Sequence, residues 1–294
     1  MTTQPVIGFV GLGQMGYPMA GRLAQAGYTV QVKDVNSIRE LEFCDEFPGS
    51  TVTQNGNWSG VDYLFLSLPN SAIVEDALLN TENGIVASLD QGTLIIDLSS
   101  SQPSRTQALS KILLDSGFRF VDAPVSGGVK GANLGSLAVM VGGPVDQFEE
   151  IKPLISQLGT KIFHVGAIGS GHAAKALNNL VSAASLTVTA EALLVAQKFG
   201  IDPHQMNSIL NAGSGKTNAS ENKVEQFILS GEFNSGFGLK LMAKDVHIAL
   251  ELAESLGQST PVSATTDVLW TELAGPLEPT VDHTRIYELL ADNG

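Results

Sequence analysis

The first three dozen residues constrain this chain more than any other stretch. Val6–Val10 is a short apolar run bounded by Pro5 and Gly11, with the length and composition of a buried strand. Gly11-Leu12-Gly13-Gln14-Met15-Gly16 follows at once, then a helical period in Met15, Met19, Leu23 and Ala26 that closes at Gly27. Thr29–Lys33 reads as the next strand and ends at Asp34. Alone, the glycine spacing carries little. Between a strand and a helix, with an acid about twenty residues on, it is the fingerprint of a dinucleotide-binding βαβ unit. Gly11 permits the tight turn, Gly13 lets a pyrophosphate approach the backbone, and Gly16 lets the helix close on the strand. Leu12, Gln14 and Met15 complete the candidate cradle, where a helix N-terminus supplies amide donors and positive potential. A carboxylate at Asp34 accepts hydrogen bonds from ribose hydroxyls and repels a 2′-phosphate. No arginine follows it directly, which favours NAD; Lys33 and Arg39 are near enough to leave NADP open.

The alternation continues. Strands are expected at Val61–Leu68, Thr93–Leu98, Phe120–Val125, Leu137–Val141 and Ile162–Val165, with helices at Ala72–Leu79, from Pro103 to about Ser116, and at Val145–Gln157. Strands alternating with helices imply right-handed parallel crossovers and an open, doubly wound sheet. Ligands gather at the carboxyl ends of such strands. That brings Leu68 and Pro69, Ser100, and the glycine-rich Ser126-Gly127-Gly128 towards the cofactor. After Gly169 the strand signals stop and every periodic segment reads helical. The chain is therefore expected to be α/β: a Rossmann-type, mostly parallel sheet over residues 1–165, then an all-α domain over 166–294 that begins with a long interdomain helix.

That helix is unusual. From Gly169 and Gly171 through Val195 nearly every residue is apolar or small, yet Lys175, Asn178 and Asn179 share a face at i, i+3 and i+4. Ser182, Ser185 and Thr189 extend the same polar stripe. A helix apolar all round is a buried one, and burying an unpartnered lysine costs heavily. Lys175 thus has either a structural partner or a cleft to face.

The formal net charge of −14 argues against nucleic acid or an anionic membrane as the main partner, while a small anionic ligand can still be met by local lysines. Cys44 is the only cysteine, so no intrachain disulfide exists and a reducing cytosol is the default. Its acidic neighbours would raise a thiol pKa and make it a poor nucleophile. No basic leader precedes Val6, and no stretch reaches the roughly 18 uninterrupted apolar residues of a membrane span. A cytoplasmic protein is expected.

At this point the chain resembles the β-hydroxyacid dehydrogenase family, which includes 3-hydroxyisobutyrate dehydrogenase and tartronate semialdehyde reductase. Four stretches carry the likeness. They are Gly8–Gly16 with Pro18-Met19-Ala20, Asp122–Gly128 continuing to Gly143, Gly169-x-Gly171-x-x-x-Lys175-x-x-Asn178-Asn179, and Lys244-Asp245 beyond Phe237. The resemblance implies that Lys175 is the catalytic acid/base and that Asn179 helps hold the substrate. Ser126, with the Gly127 and Gly128 backbone, should receive the substrate carboxylate. Lys244 should reach the cofactor, Phe237 and Asp245 should shape the substrate site, and Ser100 keeps a hydroxyl beside the nicotinamide. The implied reaction interconverts a short β-hydroxy acid and its semialdehyde. The five histidines show no metal-ligand spacing, and the long apolar helix suggests a homodimer or homotetramer, although a monomeric core could also bury it. Ile73 stands where some members have asparagine, and that contact is left out.

Gly213-Ser-Gly-Lys-Thr217 imitates a phosphate-binding loop but has Leu210 where glycine is required and a helix where a strand should precede it. Lys216 reads as a surface residue, as does His172 at the start of the long helix. Two rivals stay open: an imine reductase of the same architecture, which Lys175 and Ser126–Gly128 count against, and a non-catalytic dinucleotide-binding module.

Overall fold

The computed structural model describes residues 4–292. The reading of the N-terminus as leaderless rests partly on Met1–Thr3, outside the described residues. The chain divides into two compact units, with the boundary in the chain between Lys175 and Ala176.

The first unit runs β1 (Val6–Val10), α1 (Gly16–Gln25), β2 (Thr29–Lys33), α2 (Ser37–Glu46), β3 (Thr51–Val52), β4 (Tyr63–Leu66), α3 (Ser71–Leu79) and β5 (Leu94–Asp97). It continues with α4 (Pro103–Asp115), β6 (Arg119–Asp122), β7 (Val125–Ser126), α5 (Gly128–Leu134), β8 (Leu137–Gly142), α6 (Val145–Ile155) and β9 (Gly159–Gly166). All nine strands form one sheet in the order β3-β2-β1-β4-β5-β6-β8-β7, with β9 on β8. Alternate residues of each strand enter different cores. Ile7, Phe9, Phe65 and Ile96 pack on one side of the sheet, and Val10, Leu64, Leu66 and Ile95 on the other. Burial on both faces explains why these strands are continuous apolar runs.

Pairing is parallel from β3 to β6, whereas β8 runs antiparallel to β6 and β7. A parallel crossover needs a dozen or more residues, and the short α5 between β7 and β8 is too brief to carry one. Strand order reverses between β1 and β4, the point where open α/β sheets take their ligands.

The second unit is helical: the bulk of α7 (Ser170–Phe199), then α8 (Pro203–Ala212), α9 (Asn218–Asn222), a π-helical turn (Val224–Leu229), α10 (Leu239–Ser255), α11 (Pro261–Ala274), a 3₁₀ turn (His283–Arg285) and α12 (Ile286–Asp292). Ala183, Leu186 and Leu193 of α7 form its core with Val224, Met242, Val246, Trp270 and Ile286. Trp270 Nε1 donates to Thr187 Oγ1 at 2.9 Å, so even that polar atom of α7 is absorbed. By length and hydropathy alone α7 would cross a bilayer, but its most buried residues make up this core. The helix is not buried all round, as its composition suggested. Leu177, Val181, Val188, Val195 and Phe199 remain exposed.

Candidate active site

Three loops leave the carboxyl edge of the sheet side by side and are tied together. Gly11 N donates to Lys33 O at 2.8 Å, Ser67 N to Val10 O at 2.9 Å, and Leu68 N to Ser99 Oγ at 2.9 Å. Gln102 N donates to Ser71 Oγ at 2.8 Å, so the loops holding Leu68-Pro69 and Ser100 are fastened to each other. Gly11 has φ +95°, and a Cβ there would fall 2.3 Å from Ser67 O. A Cβ on Gly16 would fall 1.8 Å from Gly11 O, whereas one on Gly13 would meet open space. The turn is therefore closed on its protein side and open over Gly13, where a pyrophosphate needs backbone access; Gln14 and Met15 lead from it into α1.

Asp34 closes the far end of this cradle. Its Oδ2 accepts Leu12 N at 2.6 Å and its Oδ1 accepts Asn36 N at 2.8 Å. A carboxylate offers about four acceptor sites, so capacity remains for ribose hydroxyls. Both nearby cations are engaged. Lys33 Nζ pairs with the buried Glu40 at 3.1 Å, and Arg39 donates to Leu12 O from Nε at 3.2 Å and Nη2 at 3.0 Å while its guanidinium lies over the Tyr17 ring. Burial pushes the neighbouring Cys44 thiol up, with Asp45 and Glu40 adding to it.

A buried polar cluster pins the start of α7 to this edge. Asp97 and Asp122 are register partners at the ends of β5 and β6. Asp122 accepts Gly169 N at 2.7 Å and His172 N at 2.9 Å. His172 Nδ1 lies 2.8 Å from Thr106 Oγ1, and its Nε2 lies 3.7 Å from Asp97 Oδ2. Burial pushes the Asp122 carboxyl above the usual carboxylate range, against the pull of His172 and the two amides. The surface position expected for His172 is thus wrong: it is 1% exposed. The cause is Gly171, where a Cβ would fall 2.3 Å from Met140 O. Without a side chain there, the helix closes on β6 and β8 and carries its neighbour inside. Two acids at matching strand ends, ahead of a histidine preceded by Gly169 and Gly171, were the available signal.

Lys175 follows His172 by one turn and is 7% exposed; Asn179 follows by another and is 5% exposed. Asn179 Nδ2 donates to Asp245 Oδ2 at 2.6 Å, and Asn179 Oδ1 accepts from Asn178 Nδ2 at 3.1 Å. Asp245, on α10, is 1% exposed and its Oδ1 lies 3.3 Å from Lys244 Nζ. One N–H of the Asn179 amide is thereby committed and its orientation set. Ser126 ends β7, paired with Ala138. Gly127 and Gly128 adopt φ of +137° and +63°, and the expected glycine-rich loop becomes the short helix α5 from Gly128 onward. Phe237 precedes α10 and meets the His283 ring edge-on at 5.8 Å. Lys216 pairs with Glu221 at 2.7 Å on the surface, and no strand precedes the Gly213–Thr217 segment. Of the residues expected at the site, the first unit holds Gly11–Gly16, Asp34, Leu68, Pro69, Ser100, Ser126–Gly128 and Lys175, and the second holds Asn179, Phe237, Lys244 and Asp245.

A switch-point cradle on a Rossmann-type sheet, followed in the chain by a helical unit, is the organisation of a nicotinamide dinucleotide-dependent oxidoreductase. Residues 6–166 match the NAD-binding domain of 6-phosphogluconate dehydrogenase, and residues 169–290 match the family described as NAD-binding of NADP-dependent 3-hydroxyisobutyrate dehydrogenase. The chain is 40% identical over 260 residues to the 2-(hydroxymethyl)glutarate dehydrogenase of Eubacterium barkeri, covering 88% of this chain and 85% of that one. It is 34% identical over 284 residues to the 2-hydroxy-3-oxopropionate reductase of Escherichia coli K12, covering 97% and 96%. A solved structure of 3-hydroxyisobutyrate dehydrogenase from Mycobacterium tuberculosis with L-serine superposes with a TM-score of 0.89 at 27% identity, over 98% and 99% of the chains. The chain belongs to the β-hydroxyacid dehydrogenase family. As a member it is an NAD(P)-dependent 3-hydroxyacid dehydrogenase.

Proposed function

We propose that the enzyme interconverts a short β-hydroxy acid and its semialdehyde, using NAD(H) in preference to NADP(H), with Lys175 as acid/base. The observation that carries this reading is a lysine only 7% exposed, one turn beyond the helix segment pinned to the ends of β5 and β6. The relatives' names describe acids of one kind, 3-hydroxyisobutyrate and 2-(hydroxymethyl)glutarate both carrying a hydroxymethyl group next to a carboxylate.

In the reductive direction, the Ser126 hydroxyl and the Gly127 and Gly128 amides receive the substrate carboxylate. The bound dinucleotide supplies the hydride to the carbonyl carbon. The Lys175 ammonium polarises the carbonyl and gives its proton to the oxygen; in oxidation the neutral amine takes that proton back. Asn179 donates its second amide N–H where negative charge develops. Asp245 acts through Asn179, fixing which way the amide faces. Lys244, beside Asp245, is assigned to the cofactor, Phe237 to the substrate wall, and Pro69 and Ser100 to the nicotinamide end of the cradle. The NAD preference is supported by Asp34 and by the engagement of Lys33 and Arg39, which leaves neither cation to receive a 2′-phosphate.

Replacing Lys175 with alanine tests the assignment. Turnover should fall by about 10²–10⁴-fold, while NADH affinity, read by fluorescence titration, stays within about twofold. Equal loss of both would make Lys175 a structural residue and end the mechanism.

We also propose that the enzyme self-associates through the exposed stripe of α7, and that it works in a reducing compartment, in keeping with its one free thiol.

A further inference from the structure

We propose that Lys223 is a receptor for a second acidic group on the substrate, so that the preferred β-hydroxy acid is a diacid. The inference deepens the reading above and rests on it.

Lys223 lies between α9 and the π-helical turn of the second unit, and its side chain reaches the polar stripe of α7. Its Nζ donates to Ser182 Oγ at 3.1 Å. Ser182 is three residues beyond Asn179, hence on the same helix face one turn further along. The only other atom in hydrogen-bond reach, among the described residues, is His283 Nε2 at 3.0 Å. The ring's protonation follows from its far side. Nδ1 lies 3.1 Å from the carbonyl oxygen of Phe237, which can only accept, and 3.1 Å from Ser235 Oγ, whose own proton goes to Asp282, so Nδ1 carries the proton and Nε2 receives one from the lysine. His283 is 3% exposed, and burial lowers its pKa, which keeps the ring neutral.

The ammonium therefore has two neutral acceptors and a third N–H to spare. The nearest carboxylate, Asp282, is spent elsewhere. It accepts from Ser235 Oγ at 2.9 and 3.0 Å, Gly236 N at 2.8 Å, Phe237 N at 3.3 Å, Thr284 N at 2.9 Å and Thr284 Oγ1 at 2.6 Å. Among the described residues no carboxylate oxygen comes within 4.0 Å of Lys223 Nζ. Burial holds the lysine pKa down to about 8, only partly offset by Asp282. A partly buried cation without an anion is a costly element, and an arriving carboxylate would relieve that cost. The Phe237 ring, edge-on to His283, supplies an apolar wall beside the same group.

The position also sets the length of the ligand. Lys175 and Ser182 are seven residues apart, about 10 Å along the helix axis. A ligand whose reacting carbon lies at Lys175 must therefore extend several bonds further along α7 before it meets the ammonium held at Ser182. A diacid whose second carboxylate lies several bonds beyond the reacting carbon would reach it.

The test compares a five-carbon 2-(hydroxymethyl) diacid with the 2-(hydroxymethyl) monoacid that has a methyl in place of the distal carboxylate. Wild-type enzyme should prefer the diacid by at least about tenfold in kcat/KM, a lower bound for a hydrogen bond to a charged group. Lys223→Met should abolish that preference by raising KM for the diacid about tenfold or more, leaving the monoacid within about twofold. Lys223→Arg, which keeps the charge, should retain most of the preference and covers the case in which the methionine variant folds poorly. Equal loss on both acids in Lys223→Met, or a wild-type enzyme indifferent to the distal group, overturns the proposal while leaving the hydroxy acid reading intact. Oxidation of neither acid would overturn both.

Discussion

Asp34 carries two loads with one carboxylate. Through Leu12 N it holds the glycine turn, and its remaining lone pairs are the acceptors we propose for an adenosine ribose. Asp34→Asn keeps the size but weakens the charged acceptor, and hydrogen bonds to charged groups are worth about 1.5–3 kcal/mol. NAD should therefore bind roughly tenfold to a hundredfold more weakly, while NADP, freed from like-charge repulsion, should change little or improve. The ratio of kcat/KM for the two cofactors reads this directly; an unchanged ratio would show that Asp34 serves the turn alone. The acid itself was legible in sequence, standing at the end of an apolar strand at the right distance from the glycines. The fate of Lys33 and Arg39 was not. Their partners are Glu40 and a backbone carbonyl, brought near by α2, whose apolar Ile38 and Leu41 face outward while the acid Glu40 turns inward.

The first turn of α7 couples the sheet to the lysine. Asp122 takes one amide just before the helix (Gly169) and one within it (His172), and Gly171 lies against Met140 O, so the helix start is held at three points. Gly171→Ala would place a Cβ 2.3 Å from that carbonyl and 2.8 Å from Asp122 Oδ2, and backbone atoms cannot yield as a flexible side chain does. The turn must lift off the sheet. A displacement near 1 Å can cost about 10²-fold in rate, so kcat should fall by at least about tenfold. NADH affinity should hold within about twofold, because the Gly11–Gly16 cradle lies on another strand end. Parallel loss of cofactor binding would mean that α7 supports the sheet itself. Element positions were largely readable from hydrophobic period and glycine punctuation. What escaped were elements decided by contacts distant in sequence: the antiparallel turn of β8, the helix in place of a loop at Gly128–Leu134, and the inward face of His172. In each case a glycine was visible, but the atoms it lets approach were not.

For the whole chain, the change from strand to helix signals after Gly169 was plain, and the family likeness spanned both halves. The surface left on α7 was less legible, because a thirty-residue apolar helix gives no sign in one sequence of which side its own unit will cover. Ala183, Leu186, Ala190 and Leu193 turn inward, while Leu177, Val181, Val188, Val195 and Phe199 turn outward with exposures from 44% to 84%. Val181, Val188 and Val195 recur every seven residues, with Leu177 and Phe199 four residues beyond each end, which is the spacing of a seam that packs against another helix. A monomer with a formal charge of −14 repels its copies at long range. Screening shortens that repulsion to about 8 Å at physiological ionic strength, after which contact between apolar stripes dominates. Light scattering after size exclusion at physiological salt should therefore report at least a dimer. Val188→Asp, which puts a like charge in the middle of both stripes, should shift it towards monomer without altering the far-ultraviolet circular dichroism. A wild-type monomer at micromolar concentration, or an aspartate variant that associates as before, would remove α7 as the contact.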